Sequence, residues 1–384
     1  MPYKKDFAFQ CYIWYFECKT TFLYIILVTH FRMARILVWM SWWVDSAVSA
    51  ALLIQQGHEV IAGFMKNYAD ESNPHCQTKQ DRDTALKVSQ YLGIKTFVIF
   101  DFRQEYDELI VQYIYKSYEA GLTPNPDVFC NSEVKFSMFL EQGLSLWCDA
   151  IAMGHYARIH TTNEQHQKYL LLKGVDPQKD QSYFLSRLNQ FQLSKSLFPI
   201  WHLQKSQVRS IAHELGLPNA DRKDSQGLCF IGKVSIKDFV SKQLPKMPWP
   251  IYDVHGNYLG EHDGIQFYTI GQRHGFWWWW WIPLYIVSKD KTHNTLIVGS
   301  QDCEWLFSQR LWAHNRHRIH DAYELPKRVS CKIRYRQEDQ SAVLESFEGD
   351  SISVFFENPQ RAISSWQIVV AYDGDVCIGS WIIS

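Results

Sequence analysis

The chain has 384 residues, enough for two or three domains with separate buried cores. Its 46% hydrophobic and 21% charged residues exclude a largely disordered or fibrous protein. A formal net charge of −1 excludes attraction of the whole surface to nucleic acid, so any RNA binding has to come from a local basic patch.

Residues 1–32 read as an N-terminal extension ahead of a start-like Met33. The apolar stretch from Phe22 to Val28 is far shorter than the ~20 residues a membrane span needs. It also lacks the small-residue cleavage site of a signal peptide. From Ile36 to Val38 a buried strand is predicted, then a short loop. A helix follows with Val44, Val48, Ala51 and Leu52 on one face. Further strands are expected over Val60 to Met65, Phe97 to Phe100 and Ala150 to Met153, with a helix over Asp81 to Leu92 closed by Gly93. This alternation predicts a parallel sheet covered on both faces, with ligands at the carboxyl ends of its strands.

Beyond Val234 the pattern changes. Gly256-Asn257 and Asp263-Gly264 mark turns. Val329 to Tyr335, Ser341 to Ser346 and Ile352 to Phe356 alternate in polarity with a period near two. The expected fold is α/β: a parallel-sheet nucleotide-binding domain (residues 33–234), a small middle domain (235–308) and a C-terminal antiparallel β-barrel-like domain (309–384). Nine cysteines without a C-x-x-C pair argue against a disulfide scaffold or zinc ribbon and for reduced thiols in a cytoplasmic, non-membrane protein.

Chemistry concentrates in a few segments. Between the first strand and first helix lies Trp39-Met40-Ser41-Trp42-Trp43-Val44-Asp45-Ser46. This is the position of a phosphate-binding turn, with amide groups at a helix N-terminus and two hydroxyls. Asp45 there could hold magnesium, or Ser41 or Asp45 could simply cap the helix. Two cysteines stand out by their neighbours. Cys130 lies three residues after Asp127, a spacing that suits a thiol and its proton partner. Cys229 lies within Asp224-Ser225-Gln226-Gly227-Leu228-Cys229-Phe230.

Several motifs in order resemble one family. Ser41-x-x-Val44-Asp45-Ser46 is similar to the pyrophosphatase loop of adenylating enzymes, Ser-Gly-Gly-x-Asp-Ser. With Phe64 to Tyr68, Asn125 to Asn131, Gly154 to Arg158, Lys179 to Tyr183, Asp224 to Gly232 and Tyr268 to Arg273, the chain from Met33 onward resembles the tRNA-specific 2-thiouridylases. The resemblance implies a two-stage reaction using ATP and magnesium. ATP adenylates the C2 oxygen of the wobble uridine of tRNA, and sulfur from a persulfide, delivered by a sulfur-donor protein, then displaces AMP. It implies Cys130 as nucleophile, Cys229 as persulfide carrier and Asp127 as acid or base. Asn125 and Pro126 would line the base pocket. Residues 39–46, Met65 and Gly154 would contact ATP. Lys179, Asp180, Gln181, Arg334 and Tyr335 would contact tRNA. Lys332, Arg334 and Arg336 are expected on one face of a strand.

The chain departs from the family in one respect. Only 19 glycines are present, against 16 tryptophans. Trp39, Trp42 and Trp43 stand where the loop resembles glycine. Trp147, Trp201, Trp249, Trp366 and Trp381 also fall at glycine-like positions, and Trp277 to Trp281 overlie a glycine-rich segment. A side chain at φ > 0 costs ~1–2 kcal/mol, and indole bulk fills space that phosphates need, so impaired ATP binding is expected. Five adjacent tryptophans cannot all face one core, so self-association is expected too. Two other readings remain: a catalytically inactive tRNA-binding relic of the family, and a different pyrophosphatase-loop synthetase that does not need two cysteines.

Overall fold

A computed structural model describes residues 33–68, 78–162, 167–222, 235–273, 283–319, 323–346 and 349–384. The expectations for residues 1–32, for Cys229 and its motif, and for Trp277 to Trp281 lie outside the described residues.

The apolar run Arg35–Trp39 forms β1 at the centre of a five-stranded parallel sheet. Glu59–Lys66 (β2) and Thr96–Asp101 (β3) lie to one side of it. Ala150–Ala152 (β4) and Ser196–Leu197 (β7) lie to the other. The strand order therefore reverses between β1 and β4, which opens a crevice beyond their carboxyl ends. Alternation sends Ile36 and Val38 to one face and Leu37 to the other, all fully buried. The first face is covered by the helix Val44–Gln55 (α1), by Val208 and Ala212 of the helix Lys205–Glu214, and by Ala85 and Val88 of the helix Thr78–Tyr91 (α2). The second face meets Phe136 and Phe139. Gly63 on β2 lets that aromatic layer approach: a Cβ there would lie 2.7 Å from the Phe139 ring.

The middle part, Trp249–Asp253 (β8), Tyr258–His262 (β9), Tyr285–Asp290 (β10) and Thr295–Gly299 (β11), forms a four-stranded sheet in the order β10-β11-β8-β9. The last part runs through Phe307–Arg318 (β12), Lys327–Lys332 (β13), Gln340–Ser346 (β14), Ile352–Arg361 (β15), Ile368–Asp373 (β16) and Val376–Ile383 (β17). These six close into an antiparallel barrel, because β12 pairs with both β15 and β17. Closure leaves no unpaired edge around the ring.

Two details differ from the sequence reading. The hairpin Ala157–Thr161 (β5) and Tyr169–Lys173 (β6), drawn from the first part of the chain, extends the barrel sheet through a pairing of Leu172 with Val376. And β13 ends at Lys332, so Arg334 and Arg336 lie in the turn after it and share no strand face with Lys332. Arg336 has φ +62 there.

Candidate active site

The crevice beyond β1 and β4 is floored by the loop between β1 and α1. The Met40 amide bonds to the Gly63 carbonyl of β2 at 2.9 Å, which anchors the turn to the sheet. Inside the turn the hydroxyls of Ser41 and Ser46 bond to each other at 2.9 Å. The Ser46 hydroxyl also donates toward the Trp43 carbonyl at 3.0 Å, and the Trp43 amide donates to Ser41 Oγ at 3.3 Å. The turn's two hydroxyls and the Trp43 amide are thus engaged within the turn itself. Met40 and Val44 are buried beneath it, and Met65, at the end of β2, belongs to the core.

The tryptophans do not distort this backbone. Trp43 is extended (φ −81, ψ 152). None of Trp39, Trp42 and Trp43 is among the residues with positive φ. The strain expected from the sequence is therefore absent, since only a left-handed residue would bear it. What the tryptophans add is bulk: the Trp42 and Trp43 rings lie 5.0 Å apart, with the Arg222 guanidinium 5.5 and 5.8 Å from their centroids. The Trp42 carbonyl accepts a bond from Asn219 at 3.1 Å. By contrast Trp147 (φ 59) and Trp366 (φ 69) do occupy the left-handed conformation that glycine favours.

Asp45, at the start of α1, is already paired. Lys205 Nζ lies 2.7 and 2.8 Å from its two oxygens, and the Tyr156 hydroxyl donates to it at 2.6 Å. Among the described residues no three His, Cys, Asp or Glu side chains are close enough together to hold a metal ion. Magnesium at Asp45 would have to displace a lysine, so the residues present do not fit it. Gly154, after β4, packs against the same point. A Cβ on it would come within 2.8–2.9 Å of Asp45 and of the Ser46 amide nitrogen. It thus abuts the end of the loop.

On the other face, Pro126 starts the short helix Pro126–Phe129, with Asn125 as its N-cap. That helix runs directly into a π-helical segment, Cys130–Met138. Pro at the first position costs no hydrogen bond, and π-helical turns recur at functional sites. Asp127 and Cys130 are one turn apart. Burial pushes the Asp127 carboxyl and the Cys130 thiol up, and the Lys135 ammonium opposes both shifts. The Tyr106 hydroxyl bonds the Cys130 sulfur, favouring its thiolate, while Asp127 disfavours it. Burial, with help from Lys135, holds His155 well below its ordinary pKa, so its ring is neutral. His155 Nδ1 is buried without a hydrogen-bond partner among the described residues. The Lys135 ammonium lies 4.7 Å from the Trp39 ring centroid. One lysine thus faces both the end of the loop strand and the cysteine helix.

Asn125 is buried beside the barrel: its amide donates to Tyr183 Oη and to Gln367 Oε1, each at 3.4 Å. Gln367 Nε2 in turn donates to the Thr123 and Pro124 carbonyls at 2.8 and 3.1 Å. The barrel therefore grips the segment leading into the cysteine helix.

The expected RNA-facing residues divide. Asp180 is buried, a correction to the surface contact expected: its oxygens accept from Gly174, Ser182 and Lys332. Gln181 exchanges bonds with the Tyr156 backbone. Arg334 donates to the Arg361 and Ala362 carbonyls. The Tyr335 ring packs on Phe184 at 4.4 Å under the Arg336 guanidinium. Lys179 is close enough to Tyr335 to act on its charge. Sequence reasoning missed Tyr106, Lys135, Lys205 and Gln367. Only Lys135, five residues after Cys130 where a π-helix brings neighbours together, carried any spacing signal.

Three family models match in succession: a tRNA methyl transferase HUP domain over residues 34–233, a tRNA methyl transferase PRC-barrel domain over 237–300, and an aminomethyltransferase beta-barrel domain over 308–383. The chain is 42% identical over 364 residues to the tRNA-specific 2-thiouridylase MnmA of Acidovorax ebreus, covering 91% of this chain and 98% of that protein. Its identity to the thiouridylase of Geobacillus thermodenitrificans is 42% over 349 residues, covering 90% and 93%. For that of Bacillus licheniformis it is 43% over 351 residues, with the same shares. The chain belongs to the tRNA-specific 2-thiouridylase family. Within this thiouridylase scaffold no helix of the described residues is long and apolar enough to cross a membrane.

Proposed function

We propose that this chain is a tRNA-uridine 2-sulfurtransferase by descent. Its cysteine machinery is intact around Cys130, and its ATP-binding loop is impaired. The reading rests on one observation: Lys135 stands between the end of β1 at Trp39 and the pair Asp127 and Cys130. A nucleotide loop and a nucleophile are useful to one another only when they address the same substrate atom.

The division of labour follows from the electrostatics. A buried thiol is a poor nucleophile until it loses its proton. Asp127, itself raised by burial, is the acceptor one turn away, and Lys135 and Tyr106 stabilise the resulting thiolate. Cys229 would carry the persulfide whose outer sulfur bonds to C2 of the uridine as the C2–O bond to AMP breaks. The Cys130 thiolate would then attack the inner, Cys229 sulfur, so that a Cys130–Cys229 disulfide forms as the S–S bond to the outer sulfur breaks and that sulfur stays on C2 of the uridine. The donor of that persulfide would be a separate protein. Lys179, Tyr335 and Arg336 would face tRNA, whose phosphates attract exposed cations. The expected setting is cytoplasmic.

A second reading, a tRNA-binding relic without adenylation, is favoured by the closed state of the loop, in which Ser41, Ser46 and Asp45 are engaged within the protein. Calorimetric titration with ATP and magnesium separates the readings. The chain should give no measurable heat, and Trp39→Gly/Trp42→Gly/Trp43→Gly should bind in the micromolar to millimolar range, worth ~4–8 kcal/mol. Equal affinity of the two forms would refute the proposed impairment. Thiouridine formation by the triple variant, lost again on Cys130→Ser, would support the enzyme reading over the relic.

A further inference from the structure

Where the three parts of the chain meet there is a second cavity, of about 300 Å³, away from the cysteine and the loop. Its walls are Gly121 and Thr123 from the segment leading to the cysteine helix, Ser288, Lys289 and Lys291 from β10 and the turn after it, and Ser364 and Ser365 from the segment between β15 and β16. The charged side chains lining it are the two lysines, and no lining residue is acidic.

The lysines converge. Lys289 Nζ donates to the Gly121 carbonyl at 3.0 Å. The Lys291 side chain passes the same glycine, its Cε 3.4 Å from where a Cβ would stand. Burial, and then the charge of Lys291, lower the Lys289 ammonium to about 8. No carboxylate pairs with either lysine among the described residues. A desolvated ammonium beside a second cation, with a carbonyl as its partner, is an arrangement that an anion relieves. The Ser364 and Ser365 hydroxyls donate to the Ala362 and Ser384 carbonyls and Thr123 shares a bond with Thr269, so the lysines carry the recognition, with Ser288 as the neutral donor on the wall they share.

We propose that this junction cavity is a phosphate-binding site, taking a tetrahedral phosphate group between Lys289 and Lys291. The group is either a backbone phosphodiester of bound tRNA or a free inorganic phosphate or pyrophosphate. Thr123 lines the cavity, and its carbonyl is held by Gln367, so an occupied cavity would brace the segment that ends in Asp127 and Cys130. The tRNA source rests on the function proposed above; the cavity's affinity for phosphate does not.

The test uses the full chain and its variants Lys289→Met, Lys289→Arg and Lys291→Met. Phosphate and pyrophosphate binding is read by phosphorus NMR line broadening, tRNA binding by gel shift at several salt concentrations, and folding by thermal melting. Lys291 is exposed, so its variant should keep the fold even if Lys289→Met does not. Phosphate should bind the chain, at least tenfold more weakly to either Met variant, with Lys289→Arg restoring most of the loss. If the source is tRNA, the Met variants also weaken tRNA binding several-fold and reduce the salt slope by about one. If it is a free anion, tRNA binding is unchanged while phosphate binding falls. Phosphate and tRNA binding both unaltered in folded Lys291→Met overturns the site. Lysine-dependent phosphate binding in a chain that binds no tRNA would leave the site standing and sink the tRNA reading instead.

Discussion

Replacing Gln367 by Ala tests whether the barrel holds the cysteine helix in place. The Gln367 amide donates to two successive carbonyls, those of Thr123 and Pro124, and accepts from Asn125. The two donated bonds are short and the third is long at 3.4 Å. At a net ~1 kcal/mol for each good bond, with a smaller share for the third, the clamp contributes about 2–3 kcal/mol. If that energy opposes local opening of residues 122–130, its loss shifts the opening equilibrium about 30- to 150-fold, because ~1.4 kcal/mol is a factor of ten. Cys130 is buried in the closed form. Its alkylation by iodoacetamide, resolved by peptide mass spectrometry, should accelerate by that factor when reaction follows opening. Cys331 and Cys377, buried within the barrel region, serve as internal controls. Gln367→Glu, which keeps length but cannot donate to carbonyls, should behave like the alanine variant. A Cys130 rate within twofold of the parent, or equal acceleration of Cys331 and Cys377, would refute the clamp.

Other expectations follow from single residues. Burial, against the pull of Arg222, raises Asp81 to about 6, above its ordinary 3.8. The folded chain therefore keeps a proton that the unfolded chain releases. This term favours folding below pH 4 and fades as pH rises through 6, by roughly 3 kcal/mol at ~1.4 kcal/mol per unit. Urea denaturation of Asp81→Asn between pH 4 and 7 should show a shallower fall than the parent; parallel curves would count against the assignment. Trp147 is 84% exposed and held at φ 59, so Trp147→Gly forfeits little packing. Relief of ~1–2 kcal/mol of left-handed strain, less the ~0.5–1 kcal/mol entropic cost of glycine, predicts a gain near 1 kcal/mol in urea denaturation. Trp366→Gly should gain less, because the Trp366 ring, at φ 69, lies 6.0 Å from Tyr113 and loses that contact.

Much of the scaffold was legible because its signals are local. The buried run at β1, the helix closed by Gly93 at φ 70, and the two-residue period in β14 and β15 each follow from a few neighbouring side chains. What escaped is what depends on distant chain. Lys205 finds Asp45 across 160 residues, and Gln367 finds Thr123 across 244. No periodicity encodes either meeting. The β5–β6 hairpin falls within residues 33–234, assigned from sequence to the first domain, yet its edge is completed by β17. Asp180 was expected from the resemblance to contact tRNA, but it is buried, where Lys332 and the Gly174 and Ser182 amides make its carboxylate tolerable.

The tryptophans show why fold and chemistry can part company. A glycine matters to a fold where φ is positive or where a backbone must pass closely. Neither Trp42 nor Trp43 has a positive φ, so the loop keeps its course and α1 its start. Trp381 is fully buried in the barrel core, while Trp147 and Trp249 project from the surface. The Trp381 ring is thus accommodated by a core and those of Trp147 and Trp249 by solvent. A ligand has different needs, namely open space and uncommitted donors at the turn. There the tilted Trp42 and Trp43 rings lie against the Arg222 guanidinium, and the serines bond to one another. Stability measurements therefore report on the strain at Trp147 and Trp366 and not on the turn. The proposed impairment is tested only by an assay that asks the turn to hold a phosphate.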